Sequence, residues 1–453
     1  MKTILSRKYI LCILLLLMLI SPVFAVYNNY GIPDSSEFRK TLVEKWFEAP
    51  LESVRLNTPE IFSNGAGQKF QVSLEETDTT YNILVAAATT LKMNIITESG
   101  TTEKEQEIFL GDIPGSWVLI KDKKTDKPIR IRYYFASDSE VYVQFSPKGR
   151  TATADMMIYG HYAVKGISTG VPFNSFYTTS FDDVVKLTER ALPWKYVNVK
   201  NNSYDFVLQM AGMIQKRLNS IVITDDYMFD ETGMVKISDG KPVAVENDGK
   251  LYLSSAGFIK WIADGLVEPI AGSKIKRKPL LEETVDFKNI GHQGTISTNK
   301  ELSLYFSLNW IRNLSAAIIS VQTEKNYRYF NSGVDVTVNP FSSSINSKNT
   351  VTFIENNGYN PAVLKPLLYV LAATQPGIVY FGAIRETDRT AKPELKVFNE
   401  CAAFLPYFDT NGKFRCFVFY KGRQIELNDF CLYYKDAFVY LTKVRSDERF
   451  FPD

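Results

Sequence analysis

The period of the hydrophobic pattern changes partway along this chain, and that change constrains the fold more than any other feature. Up to about residue 165 apolar and polar residues alternate. Ile129-Arg-Ile-Arg-Tyr-Tyr-Phe135 and Val141-Tyr-Val-Gln-Phe145 are two such runs, punctuated by Asp138-Ser139 and by Pro147-Lys-Gly149. Alternation sends every second side chain to the same face of a strand, so each run can bury one face only. Met156 to Val164 reads as one further strand. Short strands with turn signals between them predict a β-sandwich or barrel-like domain over residues 26–165, preceded by a short helix from Ser36 to Phe47.

Beyond residue 180 the spacing becomes helical. Ser180 is the expected N-cap of a helix reaching Ala191, and Ser203 that of one reaching Leu218, with Phe206, Val207, Met210, Met213, Ile214 and Leu218 on one face. A helix from Ser255 is expected to stop at Asp264-Gly265. Trp310, Ile311, Leu314, Ala317, Ile318 and Val321 mark another buried helical face, and Pro361 to Thr374 a further helix. The chain then turns to strands at Ile378–Ile384, Cys401–Phe408, Phe414–Tyr420 and Phe438–Val444, with a hairpin signal at Asp409-Thr-Asn-Gly412. Helices followed by antiparallel strands predict an α+β domain over 201–453. Gly166 to Pro172 is rich in Gly, Ser, Thr and Pro, so residues 166–200 read as a linker with a short helix.

The N-terminus carries a processing pattern. Lys2, Arg7 and Lys8 precede the apolar run Ile10 to Ile20, and Val23-Phe24-Ala25 forms a small-residue cleavage site. The run falls short of the roughly 20 residues a bilayer span needs, so residues 1–25 read as a secretory signal and the protein as exported, periplasmic or secreted. No later segment reads as a membrane helix, because Lys365 and Pro366 interrupt the best candidate, Val363 to Ala373. The whole chain has 52 Lys+Arg against 50 Asp+Glu; loss of the three basic residues in 1–25 takes its charge from +2 to −1. A nearly neutral chain lacks the basic face that nucleic acid requires. Cys12 leaves with the signal, and Cys401, Cys416 and Cys431 remain, an odd number without a C-x-x-C pair. One bridge, Cys401–Cys416 across a hairpin, is the expected pairing. Two histidines cannot support a zinc site of the usual kind, and no cofactor is expected.

Three segments carry a resemblance. They are Ser254-Ser-Ala-Gly-Phe-Ile-Lys-Trp-Ile-Ala-Asp-Gly265, Tyr305-Phe-Ser-Leu-Asn-Trp-Ile-Arg-Asn-Leu314 and Phe398-Asn-Glu-Cys-Ala-Ala-Phe-Leu-Pro-Tyr-Phe-Asp409. In this order they resemble the NlpC-type cell-wall endopeptidases, most closely a divergent exported group of spirochaetal type. The likeness spans about 200–453 and implies a papain-like fold.

The first motif of that family reads Cys-Ser-Gly-Phe, with the cysteine at a helix N-terminus. There the helix dipole and a histidine lower the thiol pKa, and the thiolate attacks a peptide carbonyl. In this chain Ser255 falls on the cysteine position and Ala256 on the following serine. Glu400 stands where the family places its histidine. Both catalytic positions depart from the pattern. A carboxylate titrates near 4.3, roughly two units below imidazole, and is a poor match for activating a hydroxyl. The third catalytic position is unassigned; Arg423 and Gln424 are weakly marked.

Other groups compete with Ser255 for a chemical role. His161 reads as a strand histidine, and His292, in Gly291-His-Gln-Gly294, as a loop histidine that could fold over Ser255 as a substitute base. Cys401 reads as a small core residue rather than a relocated nucleophile. Arg312, on an otherwise apolar helix, needs a partner: a carboxylate of the protein, or a ligand carboxylate in the cleft. The resulting expectation is an exported cell-envelope protein whose papain-like domain is catalytically inactive and binds a peptide or peptidoglycan stem. The alternatives are an active cell-wall hydrolase with a Ser255 centre and a structural or host-interaction protein with a vestigial cleft.

Overall fold

The computed structural model describes residues 34–453 except 98–99, 200–201, 226, 237–239, 247, 286–303, 343–352, 390–391 and 393. The signal segment and His292 lie outside the described residues. The chain is mixed α+β: a large antiparallel sheet in its N-terminal region, then helices and a second sheet.

Ser35 caps the first helix, α1 (Ser36–Leu42), by accepting a hydrogen bond from the Phe38 amide. Nine strands follow: β1 (Glu60–Ser63), β2 (Lys69–Glu76), β3 (Thr80–Thr97), β4 (Gly100–Leu110), β5 (Trp117–Asp122), β6 (Pro128–Tyr133), β7 (Val141–Lys148), β8 (Thr151–Ile158) and β9 (His161–Ser168). They form one sheet in the order β1-β2-β3-β5-β6-β7-β8-β9, with β4 paired to β3 alone. The alternation is realised as expected: Tyr81, Ile83, Val85, Trp117, Leu119, Ile131, Tyr133, Val143 and Phe145 are all fully buried. Their face is covered by helical segments rather than by a second sheet. Phe38 stacks on Phe70, Phe176 on Phe145, and Phe181 packs edge-on against Trp117 and Tyr133. Phe181 opens α2 (Phe181–Thr188), capped by Ser180, and Trp194 meets Phe135. Residues 173–194 therefore belong physically to the N-terminal core.

Two local expectations change here. Met156 to Val164 is two strands, because Tyr159 and Gly160 both take positive φ, 46° and 76°, and form a two-residue turn that pairs Ile158 with His161. Gly166, Ile167 and Ser168 continue β9 instead of loosening into a linker.

Helix α3 (Asp205–Arg217) buries Val207, Met210 and Ile214; its N-cap is Tyr204, without a side-chain bond, rather than Ser203. Short strands β10 (Ile221–Ile223), β11 (Met228–Phe229), β12 (Val235–Lys236) and β13 (Leu251–Leu253) lead into α4 (Ser255–Ala271). α4 runs through Asp264-Gly265 and ends at Gly272, whose φ is 71°. These two residues are packing devices instead of a stop. Asp264 is buried against Lys260, and a Cβ on Gly265 would lie 2.8 Å from Phe450 and 3.0 Å from Pro452.

Then come α5 (Phe306–Thr323), α6 (Leu364–Thr374) and α7 (Leu427–Tyr433). The second sheet contains β14 (Ile378–Asp388), β15 (Leu395–Phe408), β16 (Phe414–Tyr420), β17 (Arg423–Ile425) and β18 (Phe438–Arg445). All neighbours are antiparallel, in the order β17-β16-β15-β14-β18. Helices cover both faces. On one, Ser315 of α5 bonds Thr442 of β18 at 2.8 Å. On the other, Phe404 and Phe408 of β15 meet Phe430 of α7 and Tyr369 of α6. The two regions touch: the Phe414 amide donates to Asp138, and Tyr159 packs on Tyr369.

The Cys401–Cys416 bridge is not formed; all three described cysteines are free. Register explains this. Cys416 lies opposite Pro406, five residues from Cys401, which is ~17 Å along a strand and beyond any disulfide.

Candidate functional site

Ser255 is the first residue of α4 and is half-buried. Ser254 sets its position by capping the helix, accepting from the Gly257 amide at 2.9 Å, while the Ser254 amide donates to the Tyr227 carbonyl. The Tyr227 strand end crosses α4 so closely that a Cβ on Gly257 would come within 2.2 Å of that carbonyl oxygen. Glycine is required there by approach, not by backbone angle. The helix N-terminus is thereby pressed against β15. Trp310 of α5 fixes the same turn by donating from Nε1 to the Ala256 carbonyl at 3.0 Å.

The Ser255 hydroxyl lies 3.4 Å from both the main-chain nitrogen and the carbonyl oxygen of Cys401. The two segments singled out in the sequence thus do meet, helix start against strand. The side chains meet differently. Successive residues of a strand point to opposite faces. Cys401 sends its thiol inward beside Ser307 of α5, where burial pushes its pKa well up, so it is a protonated core thiol. Glu400, one residue earlier, is turned the other way and its Oε1 pairs with Lys421 at 2.5 Å. Its Oε2 is buried with no hydrogen-bond partner among the described residues. Burial opposes the Lys421 charge, but the bonds from Glu400 and Tyr420 outweigh it and hold the ammonium's pKa up. Glu386 stands nearby, its carboxyl raised by burial and by the Glu400 charge. Ser255 and Glu400 are therefore neighbours along the chain path without being hydrogen-bonded to each other.

His161 opens β9; its Nδ1 lies 2.8 Å from the Tyr159 carbonyl and its ring faces Phe341. The first contact lies within the β8–β9 hairpin and the second ties it to Phe341 of the C-terminal region; neither involves Ser255. Arg312 is buried and saturated by protein partners. It meets Asp335 at 3.4 Å, the Tyr440 hydroxyl at 2.7 Å, Asn356 at 3.3 Å and Thr284 at 3.3 Å, with the Tyr329 ring 4.5 Å away. It ties α5 to β18 and to the loops around it. No group of three or more metal-ligating side chains exists among the described residues.

One ionic pair escaped the sequence reading. Lys260 and Asp264 meet at 2.6 Å inside α4, both essentially inaccessible, and Asp264 also accepts from the Ile275 amide at 2.8 Å. Burial lowers the lysine pKa and raises that of the aspartate. The signal was present: two charges four apart on a helix otherwise made of Phe258, Ile259, Trp261, Ile262, Ala263 and Leu266.

Among the described residues no helix is long and apolar enough to cross a membrane. Comparison with curated proteins and with solved structures finds no match for this chain. A family model described as "Domain of unknown function (DUF8515)" matches residues 28–196, the nine-stranded sheet with its covering helices and not the region that carries Ser255.

Proposed function

We propose that residues 201–453 are a papain-like, NlpC-type domain that has kept the architecture of a cell-wall peptidase and lost its reaction, in a protein exported to the cell envelope. In this reading the protein surface beside Ser255 binds a peptide or peptidoglycan stem without cleaving it. One observation carries it. The hydroxyl at the nucleophile position hydrogen-bonds only to the Cys401 main chain among the described residues, while the carboxylate at the base position is committed to Lys421. A serine hydroxyl without a general base is a weak nucleophile, and removal of a triad member costs several orders of magnitude in rate. The packing of a helix N-terminus against an antiparallel sheet, with Gly257 at the glycine position of the motif, supports the architecture.

The test is incubation of purified protein with muropeptides, with products followed by mass spectrometry and binding by calorimetry. Binding without turnover is the expected result. Cleavage that disappears in Ser255→Ala would establish the hydrolase reading instead. Absence of both binding and cleavage would favour the structural or host-interaction reading and overturn the proposal.

A further inference from the structure

β3 and β4 run on together past the rest of the sheet. β2 leaves β3 at Ala87 and β5 pairs it only from Thr80 to Val85, while β4 follows it to Thr97. Residues 88–97 with their partners on β4 thus form a two-stranded arm, ~33 Å long at the usual strand rise. Two-stranded ribbons standing alone are marginal in water. Its two faces differ. On one, Leu91, Met93 and Ile95 stand beside Gln106, Lys104 and Thr102. On the other, Lys92 pairs with Glu103 and Glu105 at 3.0 and 3.2 Å. Leu91 and Ile95 are 44% and 39% exposed although they continue the row that is core at Ile83 and Val85.

The two edges also differ. β4 carries Glu103, Lys104, Glu105 and Glu107, charges of the kind that guard an edge against pairing. β3 has a single charge, Lys92, between Ile83 and Thr97. Gln68 covers the start of this edge by donating to the Ala88 carbonyl at 3.2 Å, and beyond that no strand is bonded to it among the described residues. An unguarded apolar edge next to a guarded one calls for an occupant.

We infer that the free edge of β3 pairs with the same edge of a second copy of this chain, antiparallel about a twofold axis at Met93. The edge is its own complement in that register. Leu91 meets the other copy's Ile95, Met93 meets Met93, and Thr90 meets Ile96. Lys92 falls opposite Asn94, so no like charges face each other, and the two apolar rows join into one. Pairing through β4 would instead bring two rows of glutamates together.

Residues paired across such a ladder sit ~5 Å apart at Cα, within disulfide reach. The experiment compares Met93→Cys with Gln106→Cys, which lies on the same hairpin but on β4, and with the native protein, after mild oxidation. Far-UV circular dichroism checks that each variant is folded, and sedimentation velocity is run on the native protein. The expected result is a native dimer and a near-complete covalent dimer from Met93→Cys only. Leu91→Lys should shift the native dimer to monomer, and Leu91→Lys/Ile95→Glu, which sets opposite charges across the axis, should restore it. A native monomer, as expected if the edge serves another protein's strand, or cross-linking through Gln106→Cys would overturn the inference.

Discussion

Removing Lys260 tests how α4 tolerates charge. In Lys260→Met the aliphatic stem is kept and the ammonium lost, so Asp264 Oδ2 gives up its 2.6 Å contact while Oδ1 keeps the Ile275 amide. Breaking a buried pair by deleting one partner costs about 3–5 kcal/mol. With one oxygen still satisfied, the lower end, about 3 kcal/mol, is expected. The double variant Lys260→Met/Asp264→Asn keeps an oxygen for Ile275 and buries no charge. It leaves the neutral side-chain NH2 group unpaired, a cost of about 1–3 kcal/mol and below that of an unpaired buried charge, so it should be less destabilised than the single variant. The measurement is urea unfolding, with hydrogen exchange of peptides covering Ser255–Ala271 as the local readout. The pH dependence gives a second signature. Burial already raises the Asp264 pKa, and loss of Lys260 raises it further. A carboxyl whose folded pKa lies above its unfolded value contributes stability below the unfolded pKa, and that contribution is lost as pH rises through the folded one. The deficit of Lys260→Met should therefore be small near pH 4 and grow toward neutrality. A deficit within about 0.5 kcal/mol of wild type at pH 7, or a double variant as destabilised as Lys260→Met, would refute the reasoning.

Two further outcomes are expected. Gly257→Ala forces a methyl to within 2.2 Å of the Tyr227 carbonyl, so α4 must move off the β11 segment; stability should fall by about 1–3 kcal/mol, read by urea unfolding. Asp183 is held below the usual carboxylate range first by the Ser180 hydroxyl and then by Lys186. A depressed folded pKa contributes stability above the unfolded value that is lost as pH falls through the folded one, so the unfolding midpoints of wild type and Asp183→Asn should converge on acidification below about pH 4.

Much of the fold was legible because period reports on local geometry. Phe414–Tyr420 is the strand expected after the hairpin signal at Asp409-Thr-Asn-Gly412, and Ser180 caps the helix it was expected to cap. Misreadings fell where a residue's reason is tertiary. Asp264-Gly265 looks like a stop but is a buried ion-pair partner and a gap for Phe450. Tyr159-Gly160 hides a hairpin inside an apolar run. The site was half legible. Motif order brought Ser255 and the Cys401 strand together, since helix and strand positions follow from pattern. The direction of Glu400 did not follow, because it depends on the register of β15 and on where Lys421 stands after β16.

By itself, then, the sequence determined the change from strands to helices along the chain, the position of Ser255 at a helix start and the buried faces, all consequences of spacing along the chain. Tertiary structure alone decided that Glu400 pairs with Lys421 rather than with Ser255, that Cys401 and Cys416 lie five ladder steps apart, and that the β3–β4 arm leaves the sheet unaccompanied. These depend on pairing between distant segments, and a one-residue change of register reverses which face each strand residue meets.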